Sequence, residues 1–206
     1  MSDKALTMLS EGLKGNTELT DLFFTHNDLV SEGGEGGMVF IRALANKKEL
    51  KSLALNSCNL NGALLEELEK SISPHTNLRE LYLFANKIDP DGAKHIASIL
   101  KNKTRLSCLG LSNNKLLSQG CIEIAGAITG KRELTKLSIE NNLITNTGLK
   151  SLSHAMNQCN MIQEIYLYNN ELDDEPIEDF CKLLTRNPDL FALGLEFNRI
   201  GYKGIE

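Results

Sequence analysis

Few side chains in this 206-residue sequence could do nucleophilic or metal chemistry, and they are widely scattered. The histidines are His26, His75, His95 and His154. The cysteines are Cys58, Cys108, Cys121, Cys159 and Cys181. No two histidines have the short spacing of a metal-binding pair, and no Cys-x-x-Cys motif occurs. The sequence therefore predicts reduced thiols, with no metal and no cofactor.

Two unusual segments, at residues 31–37 and 171–179, could suggest ligand-binding loops. The first is rich in glycine but lacks Gly-Lys-Ser/Thr, and Glu32 and Glu35 would repel a phosphate. We expect a flexible excursion there. The second is rich in carboxylates but lacks the spacing and the glycine of a calcium loop. We expect its acids to favour the start of a helix, with Pro176 in the first turn.

Composition narrows the class of partner. The net charge is −5 and no long Lys/Arg run occurs, which disfavours nucleic acid. No run of 18 apolar residues occurs, so we expect no membrane span, and residues 1–14 do not resemble a signal peptide. We expect a cytoplasmic protein, acting in the host cytoplasm if it is a bacterial effector.

An internal repeat organises the whole chain. The segment from Leu78 reads L-R-E-L-Y-L-F-A-N-K-I, and its pattern L-x-x-L-x-L-x-x-N-x-L recurs. The copies start at Leu19, Leu50, Leu78, Leu106, Leu134, Ile162 and Leu190. Successive starts are 28 residues apart, except that 31 residues separate the first two. This register predicts a solenoid of stacked units.

Each unit combines a strand with a helix. Leu81 and Leu83 alternate as strand residues do, whereas residues 92, 96 and 100 have the spacing of one helix face. An asparagine follows each strand, with Cys58 in its place in the second unit, and we expect it to bind unpaired backbone groups. Before the first strand, Ala5, Leu9 and Leu13 predict a capping helix.

The 28-residue unit with a full helix resembles the ribonuclease-inhibitor class of leucine-rich repeats. That class includes ribonuclease inhibitor, the sensor regions of NOD-like receptors and the Ran GTPase-activating protein, and tropomodulin's repeat domain is related. The resemblance covers nearly all of the chain. It implies an α/β fold, a right-handed horseshoe with a parallel β-sheet on the concave face and α-helices on the convex face.

This resemblance also implies a domain organisation. Residues 1–206 form one domain, with an N-terminal helix or partial repeat at 1–18, six full repeats at 19–189 and an incomplete repeat at 190–206. The last unit stops before its helix. We therefore expect either a longer parent chain or another cover for the last strand.

The outward strand positions form the concave surface and carry our candidate partner-binding site. The site consists of Phe23, His26, Glu80, Tyr82, Phe84, Glu140, Glu164, Tyr166, Tyr168, Glu196 and Phe197. Exposed aromatic rings on a rigid sheet are typical interface anchors, although aromatic residues also suit strands in general. Acids outnumber bases here, which favours a partner with a basic patch, although a solvated face of mixed charge is an equal alternative. The blander stretch of Cys108, Gly110 and Ser112 suggests two separate contact patches.

These observations favour a non-catalytic module that binds another protein. Cys108 projects into the concave surface, but His26 lies three repeats away, about 14 Å by strand spacing, too far to activate a nucleophile. Cys121, Cys159 and Cys181 are expected on helical faces, in the core. The module could be an enzyme inhibitor, an effector or a recognition domain. The alternatives are a GTPase-activating protein resembling the Ran activator and a cytoskeletal cap or scaffold resembling tropomodulin.

Overall fold

The computed structural model describes residues 1–201 and consists of helices that alternate with short strands. The helices α1–α7 span Asp3–Lys14, Glu35–Ala43, Gly62–Ile72, Pro90–Leu100, Leu117–Ile128, Asn146–Met156 and Ile177–Arg186. The strands β1–β7 span Asp21–Phe23, Ser52–Ala54, Glu80–Tyr82, Cys108–Gly110, Lys136–Ser138, Glu164–Tyr166 and Ala192–Gly194. All seven strands lie in one sheet in chain order, and each is parallel to the next.

The core lies between the sheet and the helices. The inward strand residues Leu81 and Leu83 are fully buried, as are Ile96 and Leu100 on the facing side of α4. Helices are about 10 Å wide, whereas neighbouring strands lie about 4.8 Å apart, so the stack curves with its sheet on the inside. The predicted α/β solenoid is confirmed. None of the helices within residues 1–201 is long and apolar enough to cross a membrane.

The asparagine that follows each strand forms a ladder along the stack. The Oδ1 atom of Asn114 accepts from the backbone N–H of Asn86 at 3.0 Å, and its Nδ2 donates to the carbonyl of Leu83 at 3.0 Å. In the second unit, the Cys58 thiol donates to the carbonyl of Phe24 at 2.8 Å. The predicted role of this position is confirmed, because each side chain satisfies backbone groups that the turning chain leaves unpaired.

A second ladder, not predicted from the sequence, lies at the ends of the helices. Its members, also 28 residues apart, are Lys47, His75, Lys103, Lys131, Cys159 and Asn187. The Nζ atom of Lys103 donates to the carbonyls of Ile72 at 3.0 Å and Ser73 at 2.8 Å, and that of Lys131 donates to the carbonyl of Leu100 at 2.7 Å. The last carbonyls of a helix lack partners within the helix and favour a positive charge. Lys47, Lys103, Lys131 and Cys159 therefore each connect the end of one helix to the next unit.

The glycine-rich segment is ordered, and the prediction of a flexible excursion was wrong. Residues 31–33 form a short 3-10 turn, Gly34 has a left-handed φ of 79°, and α2 begins at Glu35. A Cβ atom on Gly37 would lie 2.0 Å from the carbonyl oxygen of Leu29, and one on Gly36 would lie 2.6 Å from the Cα atom of Asp3. The glycines are helical residues that allow close backbone contact with the preceding elements.

Two helical faces differ from the predictions. In α1, Leu6 and Ser10 are buried, whereas Leu9 is 38% exposed, so the predicted face of this helix was wrong by about one residue. The helix α1 packs on α2 and the turn before it. In α7, Phe180 is buried but Cys181 is exposed, because adjacent helical residues point about 100° apart.

The acidic segment before α7 has a mixed role. Glu178 and Asp179 lie in the first turn of this helix, as predicted, but Pro176 precedes the helix rather than lying in its first turn. Asp173 accepts from the side chain of Asn146 at 2.5 Å, and Glu175 also contacts the preceding unit, through an ion pair of 2.5 Å with Lys150. Part of the segment therefore joins two units.

Candidate protein-binding surface

The concave surface comprises the outward side chains of β1–β7 and of the residues that directly follow each strand. Hydrogen bonding between neighbouring units continues beyond the three-residue strands. The N–H of Leu83 donates to the carbonyl of Gly110 at 2.8 Å, and the N–H of Ala85 donates to that of Ser112 at 3.0 Å. Because the pairing continues, Phe84 and its equivalents still belong to the sheet face.

The first aromatic patch consists of Tyr82 and Phe84. Both rings are half-buried, and their centroids lie 5.7 Å apart. A Cβ atom on Gly110, which pairs with Tyr82, would lie 2.2 Å from Cε1 of Phe84. The sequence suggested that Gly110 belongs to a stretch that separates two patches. In the structure the rings of Tyr82 and Phe84 lie directly against Gly110, which is therefore part of the first patch.

The polar groups around this first patch keep the Tyr82 hydroxyl neutral. Burial raises the pKa of Tyr82, and the neighbouring Cys108 and Glu80 raise it further. Glu80 accepts a hydrogen bond of 2.9 Å from the hydroxyl of Ser52 on the preceding strand. Tyr82 can thus donate a hydrogen bond across the whole physiological pH range.

The second aromatic patch consists of Tyr166 and Tyr168. The Tyr166 hydroxyl donates to Glu164 at 2.9 Å, and Lys136 forms an ion pair of 2.7 Å with the same carboxylate. The hydrogen bond from Lys136 lowers the pKa of Glu164, which stays ionised. The Lys136 ammonium also lies 5.1 Å from the centre of the Tyr166 ring, within the range of a cation–π contact.

Glu140 lies next to the second patch, and its side chain is largely buried. It is 9% exposed and accepts a hydrogen bond of 3.3 Å from the Tyr168 hydroxyl. Burial raises the pKa of Tyr168, and the charge of Glu140 adds to this effect. The tyrosines of the second patch are therefore held in place by carboxylates, which limits the ring conformations available before binding.

The remaining predicted site residues lie at the two ends of the sheet. Phe23, which is 65% exposed, and His26 belong to the first unit, whereas Glu196 and Phe197, which is 83% exposed, belong to the seventh. Five strand spacings of about 4.8 Å separate β1 from β6, so Phe23 and His26 are about 24 Å from the second patch. The predicted residues are exposed or half-buried, except Glu140, but they do not form one cluster.

Phe197 occupies an unfavourable backbone conformation. Its φ is 57°, and the equivalent positions of the three preceding units, with similar φ values, are Asn113, Asn141 and Asn169. Asparagine tolerates the left-handed region well, whereas a bulky aromatic residue does so at a cost. An exposed ring in a strained position is a candidate anchor rather than a structural requirement.

Two exposed apolar residues were not predicted as part of a surface. Phe191 is 74% exposed and Leu117 is 43% exposed. Phe191 stands where earlier units have polar residues such as Arg79 and Gln163, and Leu117 stands where the fourth helix has its capping residue Asp89. A unit-by-unit comparison of the repeat would have found both departures.

The fold and its ladders define the class: a leucine-rich-repeat solenoid with aromatic and acidic residues on its sheet face. Comparisons with known proteins agree. A family model described as Leucine Rich repeat matches residues 75–97 and 131–153, and a second model described as Leucine Rich Repeat matches residues 161–183. The human "NACHT, LRR and PYD domains-containing protein 13" is 33% identical over 103 residues. Three segments of the chain therefore match leucine-rich repeats.

The matches differ in how much of each protein they cover. The aligned residues make up 50% of this chain but only 10% of the human relative. A structure titled "Leiomodin-1 Actin-Binding Site 2 (ABS2)" has a TM-score of 0.53 and 22% identity, and covers 65% of this chain and 77% of its own. The Caenorhabditis elegans tropomodulin C-terminal domain has a TM-score of 0.52 and 11% identity, and covers 92% and 93%. These two structures share the fold.

Proposed function

We propose that this chain is a non-catalytic module that binds another protein on its concave surface. The observation that carries the proposal is the pair of aromatic patches on one parallel sheet, Tyr82 with Phe84 at β3 and Tyr166 with Tyr168 at β6. Large aromatic side chains with polar tips contribute most of the binding energy in many interfaces. Parallel strands that share one core give these rings fixed relative positions.

Preorganisation supports the same proposal. The Tyr166 and Tyr168 hydroxyls are hydrogen-bonded to Glu164 and Glu140, so their rings lose little conformational freedom when a partner binds. A partner therefore meets a surface that is already in its binding conformation.

The charge of the surface favours a partner with a basic patch. Acidic side chains on this surface outnumber the basic ones, and Glu164 and Glu171 are each paired with a cation, Lys136 and Arg199 respectively. The excess negative charge would speed association with a basic protein and disfavour nucleic acid. We also propose a cytoplasmic location, since all five cysteines are free thiols, which suits a reducing compartment.

The module could act as an enzyme inhibitor, an effector or the recognition part of a longer protein. A cytoskeletal scaffold is a second candidate, and the observation behind it is the fold shared with "Leiomodin-1 Actin-Binding Site 2 (ABS2)". A GTPase activator is a third candidate, although no residues of this sequence were matched to those of the Ran activator. The identity of the captured protein would separate the three: a hydrolase, actin or a small GTPase.

Affinity capture from native lysate, followed by mass spectrometry and titration, tests the proposal. The double variant Tyr166→Ala/Tyr168→Ala should bind the captured partner more than about tenfold more weakly, a loss of ~1.4 kcal/mol or more. Met8→Ala, which removes an exposed apolar side chain from α1, is the matched control and should bind normally. Circular dichroism would verify that both variants are folded. Equal binding by the double variant would refute the concave surface as the binding site.

A further inference from the structure

One buried carboxylate on the concave surface lacks a full set of partners. The Oε1 atom of Glu140 accepts from Tyr168, but Oε2 is buried and has no hydrogen-bond partner among the described residues. The hydroxyl oxygen of Ser112 is also buried without a partner. Buried polar atoms are normally hydrogen-bonded, so two such atoms on one face of a sheet call for an explanation.

The two unpartnered groups occupy matching places on neighbouring strands. Gly110 pairs with Ser138, and Ser112 and Glu140 each follow two residues later. The N–H of Asn113 donates to the backbone carbonyl of Glu140 at 2.9 Å, so the two strands are still paired at this point. By strand alternation both side chains project from the concave face, at the centre of the sheet and between the two aromatic patches.

Glu140 also differs from its neighbours in charge compensation. Glu164 has Lys136 at 2.7 Å and Glu171 has Arg199 at 3.7 Å, but none of the ion pairs among the described side chains includes Glu140. A buried charge without a counter-ion destabilises the free protein. Such a cost is offset when a ligand of opposite charge enters the site.

We propose that Glu140 and Ser112 form the receiving site for an arginine side chain of the partner protein. This inference rests on the proposed binding function and names the group that the concave surface recognises. A guanidinium offers several N–H donors in one plane, enough to reach a carboxylate oxygen and a hydroxyl oxygen together. A guanidinium also stacks on aromatic rings, and the Tyr168 side chain is hydrogen-bonded to Glu140 at this site. An ammonium group fits this arrangement less well.

Tyr168 borders the proposed site. Its half-buried ring is hydrogen-bonded to Glu140 and lies against Gly194, since a Cβ atom on Gly194 would be 3.3 Å from Cδ1 of Tyr168. The hydrogen bond from Tyr168 occupies Oε1, so the guanidinium would bind Oε2 and the Ser112 hydroxyl while the Tyr168 ring stays beside it.

Nuclear magnetic resonance of protein carrying ¹³C-labelled glutamate carboxyls tests the proposal directly. The titrant is a capped glycyl-arginyl-glycine peptide, and its citrulline analogue, which has the same shape without the charge, is the control. We expect the Glu140 carboxyl signal to shift saturably with the arginine peptide and not with citrulline. An unshifted Glu140 signal would show that the site only holds water, and equal shifts at all glutamates would show nonspecific attraction. Either result would overturn the proposal.

Two variants sharpen the test. Glu140→Gln should weaken binding of the arginine peptide at least about tenfold, yet leave the thermal stability of the free protein unchanged or higher, because it removes an uncompensated charge. Glu133→Gln, which neutralises an exposed acid in the turn between α5 and β5, is the matched control and should bind normally. A large loss of stability in Glu140→Gln would indicate a structural role and overturn the proposal.

The two proposals can fail separately. If the Glu140 signal responds but the tyrosine double variant still captures the partner, the arginine site exists and the concave binding function is wrong. If the tyrosine variant loses the partner but the Glu140 signal is silent, the concave surface binds by other contacts.

Discussion

Replacing Lys103 with methionine should change how the stability of the protein depends on pH. Lys103 is fully buried, and its Nζ donates to the carbonyls of Ile72 and Ser73 at the end of α3. Burial lowers the pKa of Lys103 from 10.5 to about 8, with a further contribution from the nearby charge of Lys131. Methionine keeps most of the volume and removes the titrating group.

The sign and size of the effect follow from the shifted pKa. Below a pH of about 8, Lys103 is protonated in both the folded and the unfolded chain, and the fold bears the full cost of a buried charge. Between the folded and unfolded pKa values the unfolded chain binds more protons, so stability rises with pH. From about pH 7 to about pH 9.5 the contribution of Lys103 should rise by about 2 kcal/mol.

Urea denaturation of both proteins at these two pH values measures the effect. The free energy of unfolding of the wild type, minus that of Lys103→Met, should increase by about 2 kcal/mol at the higher pH. Subtracting the variant removes the contributions of other groups, such as Cys58, whose pKa burial raises to about 11. Exposed Lys101→Met controls for the loss of one positive charge. A difference that stays constant or shrinks would refute the reasoning.

Two further predictions concern the concave surface. Phe197→Asn should stabilise the protein by about 1 kcal/mol in urea denaturation, because asparagine suits the φ of 57°. The same substitution should weaken partner capture, because it removes an exposed ring. A loss of stability would contradict the argument from strain. Gly110→Ala should shift the ring resonances of Tyr82 and Phe84 and weaken capture, with a stability loss of less than about 1 kcal/mol, because its Cβ atom would lie 2.2 Å from a ring atom that can rotate away. Unchanged ring resonances would show that the rings do not lie on Gly110.

Some features of the candidate site were accessible from the sequence because they depend on alternation alone. Tyr82, Phe84, Tyr166 and Tyr168 stand at outward strand positions, and the structure finds them on the sheet face. Their surroundings were not accessible. The ion pair of Lys136 with Glu164 and the contact of the Phe84 ring with Gly110 join residues of neighbouring units. Their geometry depends on side-chain conformations that packing selects.

The ladder of buried lysines shows the same limit more sharply. A lysine such as Lys103 predicts solvent exposure, since buried lysines without a partner are rare. Only the stack brings the end of α3 next to it and supplies two carbonyl acceptors. Gly37 was likewise misread as part of a loop, because glycine usually indicates a loop, whereas here the close contact with Leu29 selects it within a helix.

The sequence pattern was enough to predict the solenoid, the register of its units and the asparagine ladder. These follow from a repeat in which every unit meets a near copy of itself, so local periodicity is enough to place strands, helices and turns. Only the packing of the units shows which charges are paired, which glycines accommodate a ring or a backbone, and that Glu140 is buried with no counter-ion among residues 1–201. Those properties depend on the particular side chains of neighbouring units, where the copies differ and the repeat carries no information.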